Sequence, residues 1–343
     1  MFDVAIVGSG PAGASCAAFC AMAGMRTLLL EREKFPREKV CGDCLNPSCT
    51  PVLERLGVAR EIRALPHGKL SRVDFIAIGG KTISIDLPPN AEVAVKRSLL
   101  DQLLMRRAAQ LGAEIRDGVV VTSVAENAGW RINDSITART LVAADGRNST
   151  IARLLGMLPR IEKERVALQT HLPFPKDFGE RVVLQFLPQG YSGQAPVNDN
   201  ELNLCLVGKP KSMLALRMWA ESRFGVSLNH SWRTITPLRR ETISPARRNL
   251  FFVGDAARVV EPFTGEGIFY ALRSGELAAE TIAANRDDYA SAHEKLYRGR
   301  LWINRIARTA VLSPHMTSLL MRSGVMNRKI LRTLTRKIVA DTP

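Results

Sequence analysis

The chain contains 343 residues, of which 46% are hydrophobic and 24% charged, and it carries a formal net charge of +15 at pH 7. This composition allows a large buried core in two domains, and the sequence has neither the run of about 18 apolar residues that a spanning helix needs nor the dense cysteine framework of a small secreted protein. We therefore expect a cytoplasmic protein with reduced thiols and no signal peptide, and the aromatic content of 6% argues against nucleic-acid binding.

The first 31 residues have the pattern of a dinucleotide cradle. An apolar strand over 4–7 leads into Gly8, Gly10 and Gly13, and a second apolar strand over 26–30 ends at Glu31. The first glycine permits a tight turn, the second lets the backbone approach a pyrophosphate, and the third lets the helix pack closely on the strand. The helix N-terminus then faces the phosphates, and Glu31 is placed to accept hydrogen bonds from a ribose.

The middle of the chain changes to alternating strand patterns, which indicate an inserted antiparallel sheet. Strands over 73–78 and 82–85 are joined by Gly79 and Gly80, as in a hairpin. The other elements predicted after residue 50 are a helix over 51–56, a strand over 93–95, a helix over 97–112, strands over 113–115, 119–124, 130–132, 140–144, 182–187 and 202–207, a helix over 214–224, and a strand over 250–253. A cofactor domain is thus predicted from residues 1–68, 96–164 and 246–288, with a substrate sheet from 69–95 and 165–245.

Residues 289–343 form a basic tail that carries eleven Lys and Arg residues against two acidic ones. Between residues 316 and 339, apolar residues recur at helical spacing, and Arg322, Arg328, Lys329, Arg332 and Arg336 fall mostly on the other side; the apolar set is Met316, Leu319, Leu320, Met326, Ile330, Leu331, Leu334 and Ile338. A basic amphipathic helix of this kind is typical of a segment that lies on an anionic membrane, which would make the protein peripheral to the inner face of the cell membrane. The alternative is a terminal helix packed on its own domain.

Six motifs in order resemble the flavin-dependent geranylgeranyl reductase family, within the wider p-hydroxybenzoate hydroxylase-like group of flavoproteins. They are the cradle glycines, Glu31, the stretch 35–43, Arg97 with Asp101, the Ala144-Asp145-Gly146 run, and Gly254-Asp255 followed by the 262–268 segment. The resemblance covers about residues 1–290. It implies an α/β protein, α+β overall, with a Rossmann-like FAD-binding domain, an inserted antiparallel substrate sheet and a C-terminal helical tail.

The resemblance also assigns residues to FAD. An aspartate at a strand end can accept from a ribityl hydroxyl, and the backbone N–H groups of 264–268 can hold the N1/O2 edge of the flavin ring. A basic Arg32 beside Glu31 could suggest a 2′-phosphate, but the carboxylate would repel one, so FAD is the expected resident and NAD(P)H a transient donor. The predicted cofactor-binding residues are Gly8, Gly10, Ala12, Gly13, Glu31, Arg32, Arg37, Cys41, Gly42, Arg97, Asp145, Gly146, Gly254, Asp255, Pro262, Gly265, Gly267 and Ile268.

The predicted catalytic residues are Cys41, Asp43 and Tyr191. In the family, a Cys-Gly pair after the second strand lies near the reacting face of the flavin, which makes Cys41 a candidate proton donor, with Asp43 as a rival acid. By position, Tyr191 is expected to line the cavity over the flavin. Cys41 and Cys44 could also form a redox pair.

The substrate side is predicted to be apolar, with Phe75, Ile76, Val183 and Phe186 as its candidate wall. This favours a prenyl or other lipid-like substrate whose C=C bonds are reduced. The alternatives are a monooxygenase for a phenolic or polyketide-like substrate and a flavin-binding membrane partner without turnover. Reductases and halogenases of the group that this chain resembles often carry a tryptophan-rich segment at this position. The 188–196 segment of this chain is not rich in tryptophan, so a halogenase is not favoured.

Overall fold

The computed structural model describes residues 1–89, 92–160 and 164–339, so the last four residues of the predicted tail lie outside the described residues. The strands are β1 Phe2–Val7, β2 Thr27–Leu30, β3 Cys44–Leu45, β4 Gly68–Leu70, β5 Arg72–Ile76, β6 Thr82–Asp86, β7 Glu92–Ala94, β8 Glu114–Arg116, β9 Val124–Glu126, β10 Trp130–Ile132, β11 Ile136–Ala143, β12 Val166–Pro173, β13 Arg181–Leu187, β14 Gly190–Pro196, β15 Glu201–Gly208, β16 Arg233–Ile235, β17 Ala246–Arg247 and β18 Leu250–Phe252. The α-helices are α1 Pro11–Met22, α2 Thr50–Arg55, α3 Ala59–Ala64, α4 Arg97–Gln110, α5 Thr150–Leu154, α6 Met213–Phe224, α7 Gly267–Ala283, α8 Tyr289–Tyr297, α9 Leu301–Leu312, α10 Pro314–Ser323 and α11 Arg328–Val339.

A mainly parallel sheet forms the cofactor domain, with the strand order β17-β18-β11-β1-β2-β8. Strand β1 is central and pairs in parallel with β2 on one side and β11 on the other. Its residues 4–7 are buried, as expected for a strand with helices on both faces. Helices α1 and α7 approach so closely that a Cβ on Gly275 would lie 2.2 Å from the Ala12 carbonyl oxygen. The predicted Rossmann-like α/β fold is confirmed.

The predicted inserted sheet has seven strands in the order β16-β12-β15-β14-β13-β5-β6. Its pairings are antiparallel except for β13 with β5, which joins the two sequence segments that were predicted to build it. Strands β3, β7 and β4 form a third, small sheet, in which Cys44 pairs with Ala94. This small sheet places the loop before β3 next to the large antiparallel sheet.

The strand predicted over 119–124 is wrong, because ladder pairing begins only at Val124. The backbone N–H groups of Thr122 and Ser123 donate to the side-chain oxygen of Asn133 instead. Since a side chain satisfies these donors, this stretch is extended without belonging to a sheet.

The single helix predicted over 316–339 is two helices, α10 and α11. Helix α10 ends at Gly324, whose φ of +84° is the left-handed conformation that commonly stops a helix. The predicted apolar stripe is also divided: Met316 and Leu319 are each 56% exposed, whereas Leu331 is 6% exposed and packs on the antiparallel sheet. The tail therefore combines a packed inner face with an exposed apolar outer face.

Candidate functional site

The cradle turn after β1 is shaped by three glycines. Gly8 has a φ of +103°, and a Cβ there would lie 2.5 Å from the Ala144 carbonyl oxygen; a Cβ on Gly13 would lie 1.8 Å from the Gly8 carbonyl oxygen. Only Gly10 faces open space, since the nearest atoms to its Cβ position belong to flexible side chains at 3.7–4.0 Å. The turn is thus closed on the sheet side and open toward the N-terminus of α1.

Three cationic side chains meet at this open side. Around the Cβ position of Gly10 lie Lys39 Nζ at 3.7 Å, Arg37 Nη2 at 3.9 Å and Arg97 Nη2 at 4.0 Å. Burial and the neighbouring Arg97 lower the pKa of Lys39 to about 8. Three cations beside a helix N-terminus form a strong anion site, and this arrangement fits the pyrophosphate of FAD.

Arg97 is fixed by a buried ion pair within α4. Its Nε and Nη2 donate to Oδ1 and Oδ2 of Asp101 at 2.8 and 2.7 Å, and Arg37 lies 3.1 Å from the same Oδ2. Asp101 is fully buried. The bidentate pair orients the Arg97 guanidinium toward the cradle, so Asp101 is a positioning residue.

Glu31 lies at the end of β2 and is 6% exposed. Its carboxylate accepts hydrogen bonds from the backbone N–H groups of Ser9, at 2.8 Å, and Glu33, at 3.1 Å. Glu31 therefore braces the cradle turn itself. Arg32 points elsewhere: its exposed side chain pairs with Glu33 and does not meet the cations around Gly10.

Asp145 and Gly146 have different structural roles. Asp145 Oδ2 accepts from the Ile151 N–H group at the start of α5 at 2.9 Å, and burial raises the pKa of its carboxyl. Gly146, with a φ of +82°, lines a cavity that Gly10 also lines. Asp145 thus holds α5 and shapes the turn, and Gly146 is the member of the pair that reaches the cavity.

The second motif aspartate, Asp255, also lines the cavity. Its Oδ2 accepts from Arg147 Nη2 at 2.8 Å. The preceding Gly254 has a φ of +56°, and a Cβ there would lie 3.0 Å from Ala12 Cβ. Gly254 therefore lets the chain pass close to α1 while Asp255 lines the cavity.

The segment 262–268 leads into α7, which begins at Gly267, and is anchored from the tail. Arg300 Nη1 donates to Glu266 at 2.9 Å, and Asn304 Oδ1 accepts from the Glu261 N–H group at 2.8 Å. Glu261 also forms a two-point ion pair with Arg165 at 3.0 and 2.7 Å. Both acids are buried. We call 264–268 the flavin loop; these contacts hold its backbone where the ring of FAD was predicted to lie.

One cavity of about 320 Å³ joins the cradle, the flavin loop and the substrate sheet. Thirteen of the predicted site residues line it: Gly10, Ala12, Cys41, Gly42, Asp43, Arg97, Gly146, Tyr191, Asp255, Pro262, Gly265, Gly267 and Ile268. Gly8, Gly13, Glu31, Arg32, Arg37, Asp145 and Gly254 lie outside its lining. The structure thus brings the predicted cofactor and catalytic residues to one space.

The remainder of the cavity wall is mainly apolar. Phe75 and Phe186 line it, and Phe263 lies between them and Tyr191, with ring centroids 5.2 Å apart in the Tyr191–Phe263 pair. The predicted wall residues Ile76 and Val183 do not line it, because neighbouring residues of a strand point to opposite faces, and these two pack against Phe178 on the other face. Helices α9, α10 and α11 and the connection between the last two complete the wall with Ile303, Ile306, Ala307, Ala310, Thr317, Met321, Met326, Leu331, Leu334, Thr335 and Ile338.

Asp43 is the centre of a buried polar cluster. Its Oδ2 bonds to His171 Nε2 at 2.9 Å and accepts from Asn203 Nδ2 at 2.8 Å. Its other oxygen, Oδ1, is buried without a hydrogen-bond partner among the described residues, and burial raises the pKa of the carboxyl. A positive φ of 61°, unusual for a residue with a side chain, fixes the backbone here. Asp43 is therefore a buried carboxyl with a raised pKa that lines the cavity.

Cys41 lies beside this cluster. Its carbonyl oxygen accepts from Asn203 Nδ2 at 2.8 Å. Burial raises the pKa of the Cys41 thiol, and burial also raises that of Cys44 well above its ordinary value. Both are free thiols. Neither has the lowered pKa that makes a redox thiol reactive.

Glu92 is a further acid on the cavity wall. Burial raises the pKa of its carboxyl to about 7. Sequence reasoning missed Glu92, Lys39, His171 and Asn203 as site residues. The only available signal for His171 and Asn203 was the appearance of polar residues in otherwise apolar buried strands.

Comparison with known proteins identifies a matching family and several relatives. Residues 1–174 match a family model described as FAD binding domain. The chain is 29% identical over 335 residues to menaquinone reductase of Mycolicibacterium smegmatis, covering 84% of this chain and 78% of that protein. It is 28% identical over 340 residues to digeranylgeranylglycerophospholipid reductase 1 of Methanopyrus kandleri, covering 87% and 85%.

The fold is shared with a halogenating enzyme as well. The solved structure of the flavin-dependent brominase Bmp2 superposes with a TM-score of 0.79 at 22% sequence identity, covering 99% of this chain and 94% of that chain. At this identity the likeness concerns the fold alone.

Proposed function

Since the chain belongs to the FAD binding domain family and is an FAD-dependent oxidoreductase of that group, we propose that it reduces C=C bonds of a prenyl or other lipid-like substrate. The observation that carries this proposal is the cavity. One end is formed by the flavin loop and the Asp43 cluster, and the rest is an apolar chamber walled by aromatic rings and the tail helices. An apolar chamber that ends at a protonatable group beside the cofactor suits a hydrocarbon chain with a double bond.

The cofactor would be held by the groups that converge at the cradle. The N-terminus of α1 with Lys39, Arg37 and Arg97 takes the pyrophosphate, Asp255 faces the ribityl chain, and the flavin loop holds the ring. Bound in its reduced form, FAD supplies a hydride. NAD(P)H is the proposed electron donor and visits transiently.

The chain itself would supply the proton that completes saturation. Asp43 is our preferred donor, because burial raises the pKa of its carboxyl and one of its oxygens is without a partner among the described residues. His171 and Asn203 orient that carboxyl through Oδ2. Cys41 is the alternative donor, and Tyr191 forms part of the wall through its contact with Phe263.

Two relatives support this proposal, because they are named as reductases, one of menaquinone and one of a digeranylgeranylglycerophospholipid. Their matches extend over most of this chain, and so include the substrate sheet as well as the cofactor domain.

The test is anaerobic. Purified protein is loaded with FAD, the flavin is reduced, and its reoxidation is followed after a prenyl lipid is added without oxygen. Reoxidation coupled to saturated product is expected. Product that forms only when oxygen is admitted would instead identify the monooxygenase alternative, and a flavin that neither substrate nor oxygen turns over productively would indicate a binding partner without turnover.

A further inference from the structure

The tail concentrates exposed apolar side chains. Thirteen large hydrophobic residues are exposed among the described residues, and seven of them fall between residues 302 and 330: Trp302, Ile306, Leu312, Met316, Leu319, Val325 and Ile330. Their exposed fractions range from 36% to 61%. Scattered exposed apolar residues are normal on a soluble protein, but a concentration on one segment marks an interaction surface.

Five of these side chains lie on the outward faces of α9 and α10, whereas Val325 lies between α10 and α11 and Ile330 lies on α11. In α9, Ile303 and Val311 are buried, whereas Trp302, Ile306 and Leu312 are exposed. In α10, the buried residues are Thr317, Ser318 and Met321, and they are tied inward by hydrogen bonds from Thr317 Oγ1 to the Ala310 carbonyl and from the Ile78 N–H group to Ser318 Oγ. The exposed apolar residues are therefore not misplaced core positions, because each helix already has a separate buried face.

Cations accompany this apolar surface. Six basic side chains of α9–α11 form no ion pair with any residue in the described ranges: Arg305, Arg322, Lys329, Arg332, Arg336 and Lys337. Lys337 Nζ lies 5.3 Å from the centre of the Trp302 ring, which places a cation of α11 directly beside the apolar surface of α9. We call the seven exposed apolar residues and these six cations the tail surface.

The tail surface and the cavity share a wall. Ile306 is 42% exposed and also lines the cavity. Met326 and Leu334 on the α11 side line the cavity too. The layer between the cavity and the outer face of the tail is therefore one helix thick, and at Ile306 a single side chain belongs to both.

We propose that the tail surface docks on an anionic lipid bilayer and that the lipid substrate passes from the bilayer into the cavity beside Ile306. Apolar side chains enter the interface while Lys and Arg side chains meet the anionic headgroups, which is the general chemistry of monotopic attachment. The proposal of docking depends only on the composition of the tail surface. The loading half rests on the proposed reduction of a lipid.

Vesicle binding tests the docking half. The protein is sedimented with vesicles of phosphatidylcholine alone and of phosphatidylcholine mixed with phosphatidylglycerol, at low and high salt. We expect binding to the anionic vesicles that weakens with salt, and at least about tenfold weaker binding for Met316→Ser/Leu319→Ser. The matched control is Leu214→Ser/Met218→Ser, which changes the same residue types at exposed positions of α6, 63% and 54% exposed, and should bind as the unchanged protein does.

The loading half has a separate readout. With a short water-soluble prenyl alcohol, Met316→Ser/Leu319→Ser should turn over as the unchanged protein does, since neither residue lines the cavity. With a long prenyl lipid embedded in anionic vesicles, the same variant should lose most of its turnover. If neither substrate is reduced although vesicles are bound, the proposed function fails and docking survives.

Two results would overturn the docking proposal. One is equal binding of the tail variant and the unchanged protein to anionic vesicles. The other is a dimer in solution that Met316→Ser/Leu319→Ser converts to a monomer, because the tail surface would then be covered by a second copy of the chain.

Discussion

His171 and Asn203 lie opposite each other on β12 and β15 and bind the same atom, Oδ2 of Asp43. Because both anchors are on neighbouring strands of a wide sheet, the carboxyl is held by rigid elements although Asp43 itself lies in a loop. The second oxygen, Oδ1, takes no part in these bonds. The cluster thus presents one oriented carboxyl oxygen.

Asp43→Asn should lower the rate of product formation by about 10²–10⁴-fold, the usual contribution of a positioned acid. The amide keeps the size of the carboxyl but has no acidic proton, so FAD binding, measured by flavin fluorescence, should be unchanged. Since burial raises the pKa of Asp43, the rate of the unchanged enzyme should fall as pH rises through that pKa. The matched variant Cys41→Ser should keep most of its activity; the reverse outcome would make Cys41 the proton donor.

Gly10→Ala and Gly13→Ala should separate cofactor binding from folding. The new Cβ at residue 13 would lie 1.8 Å from a backbone oxygen, so we expect a loss of more than about 3 kcal/mol in unfolding free energy. At residue 10 the Cβ meets only side-chain ends at 3.7 Å or more but enters the pyrophosphate space. That variant should melt near the unchanged apoprotein and bind FAD at least about tenfold more weakly; equal affinity would place the pyrophosphate elsewhere.

Glu92→Gln should change how stability depends on pH. Burial raises the pKa of Glu92 from 4.5 to about 7 in the folded protein. Between these two pH values Glu92 is therefore protonated in the folded protein and ionised in the unfolded chain. The penalty for ionising Glu92 is therefore absent below about pH 4.5, grows as pH rises, and is complete above about pH 7, where it reaches at most about 3 kcal/mol. In urea unfolding, the free energy of unfolding of the variant should increase relative to that of the unchanged protein as the pH rises from 4.5 to 8. The exposed control Glu221→Gln should show no such gain.

Arg300→Met should loosen the flavin loop. It leaves the fully buried Glu266 carboxylate without its cation, and removing one partner of a buried pair costs about 3–5 kcal/mol. We expect a lower melting temperature and weaker FAD fluorescence quenching. Adding Glu266→Gln to this variant should recover part of the loss, because no buried charge then remains; failure of the second change to recover stability would show that the packing of Arg300, rather than its charge, matters.

The cofactor domain was predictable because its signals are local. Glycines at fixed spacing after an apolar strand leave few alternatives for the backbone, and the fold and the family were both confirmed. The segments 73–78 and 82–85 were also recognisable, since a glycine pair between alternating strands is a local hairpin signal.

Other features depend on partners far along the chain. His171 becomes a site residue only through Asp43, 128 positions away, and no local pattern reveals that contact. The amphipathic pattern over 316–339 was real, but it did not show that Gly324 divides it or which part packs inward. The individual roles predicted for Cys41, Asp43 and Tyr191 remain predictions.

The central strand β1 has consequences for how the protein is made. Strand β1 leaves the ribosome before its neighbour β11, which begins at Ile136, and before helix α7, which packs on α1 and ends at Ala283. Until residue 283 has been made, the cradle is therefore an apolar strand and helix without all of their partners, a situation that slows folding and invites aggregation. Cofactor capture must come late in synthesis, and a supply of FAD at that moment would stabilise the newly completed chain by mass action.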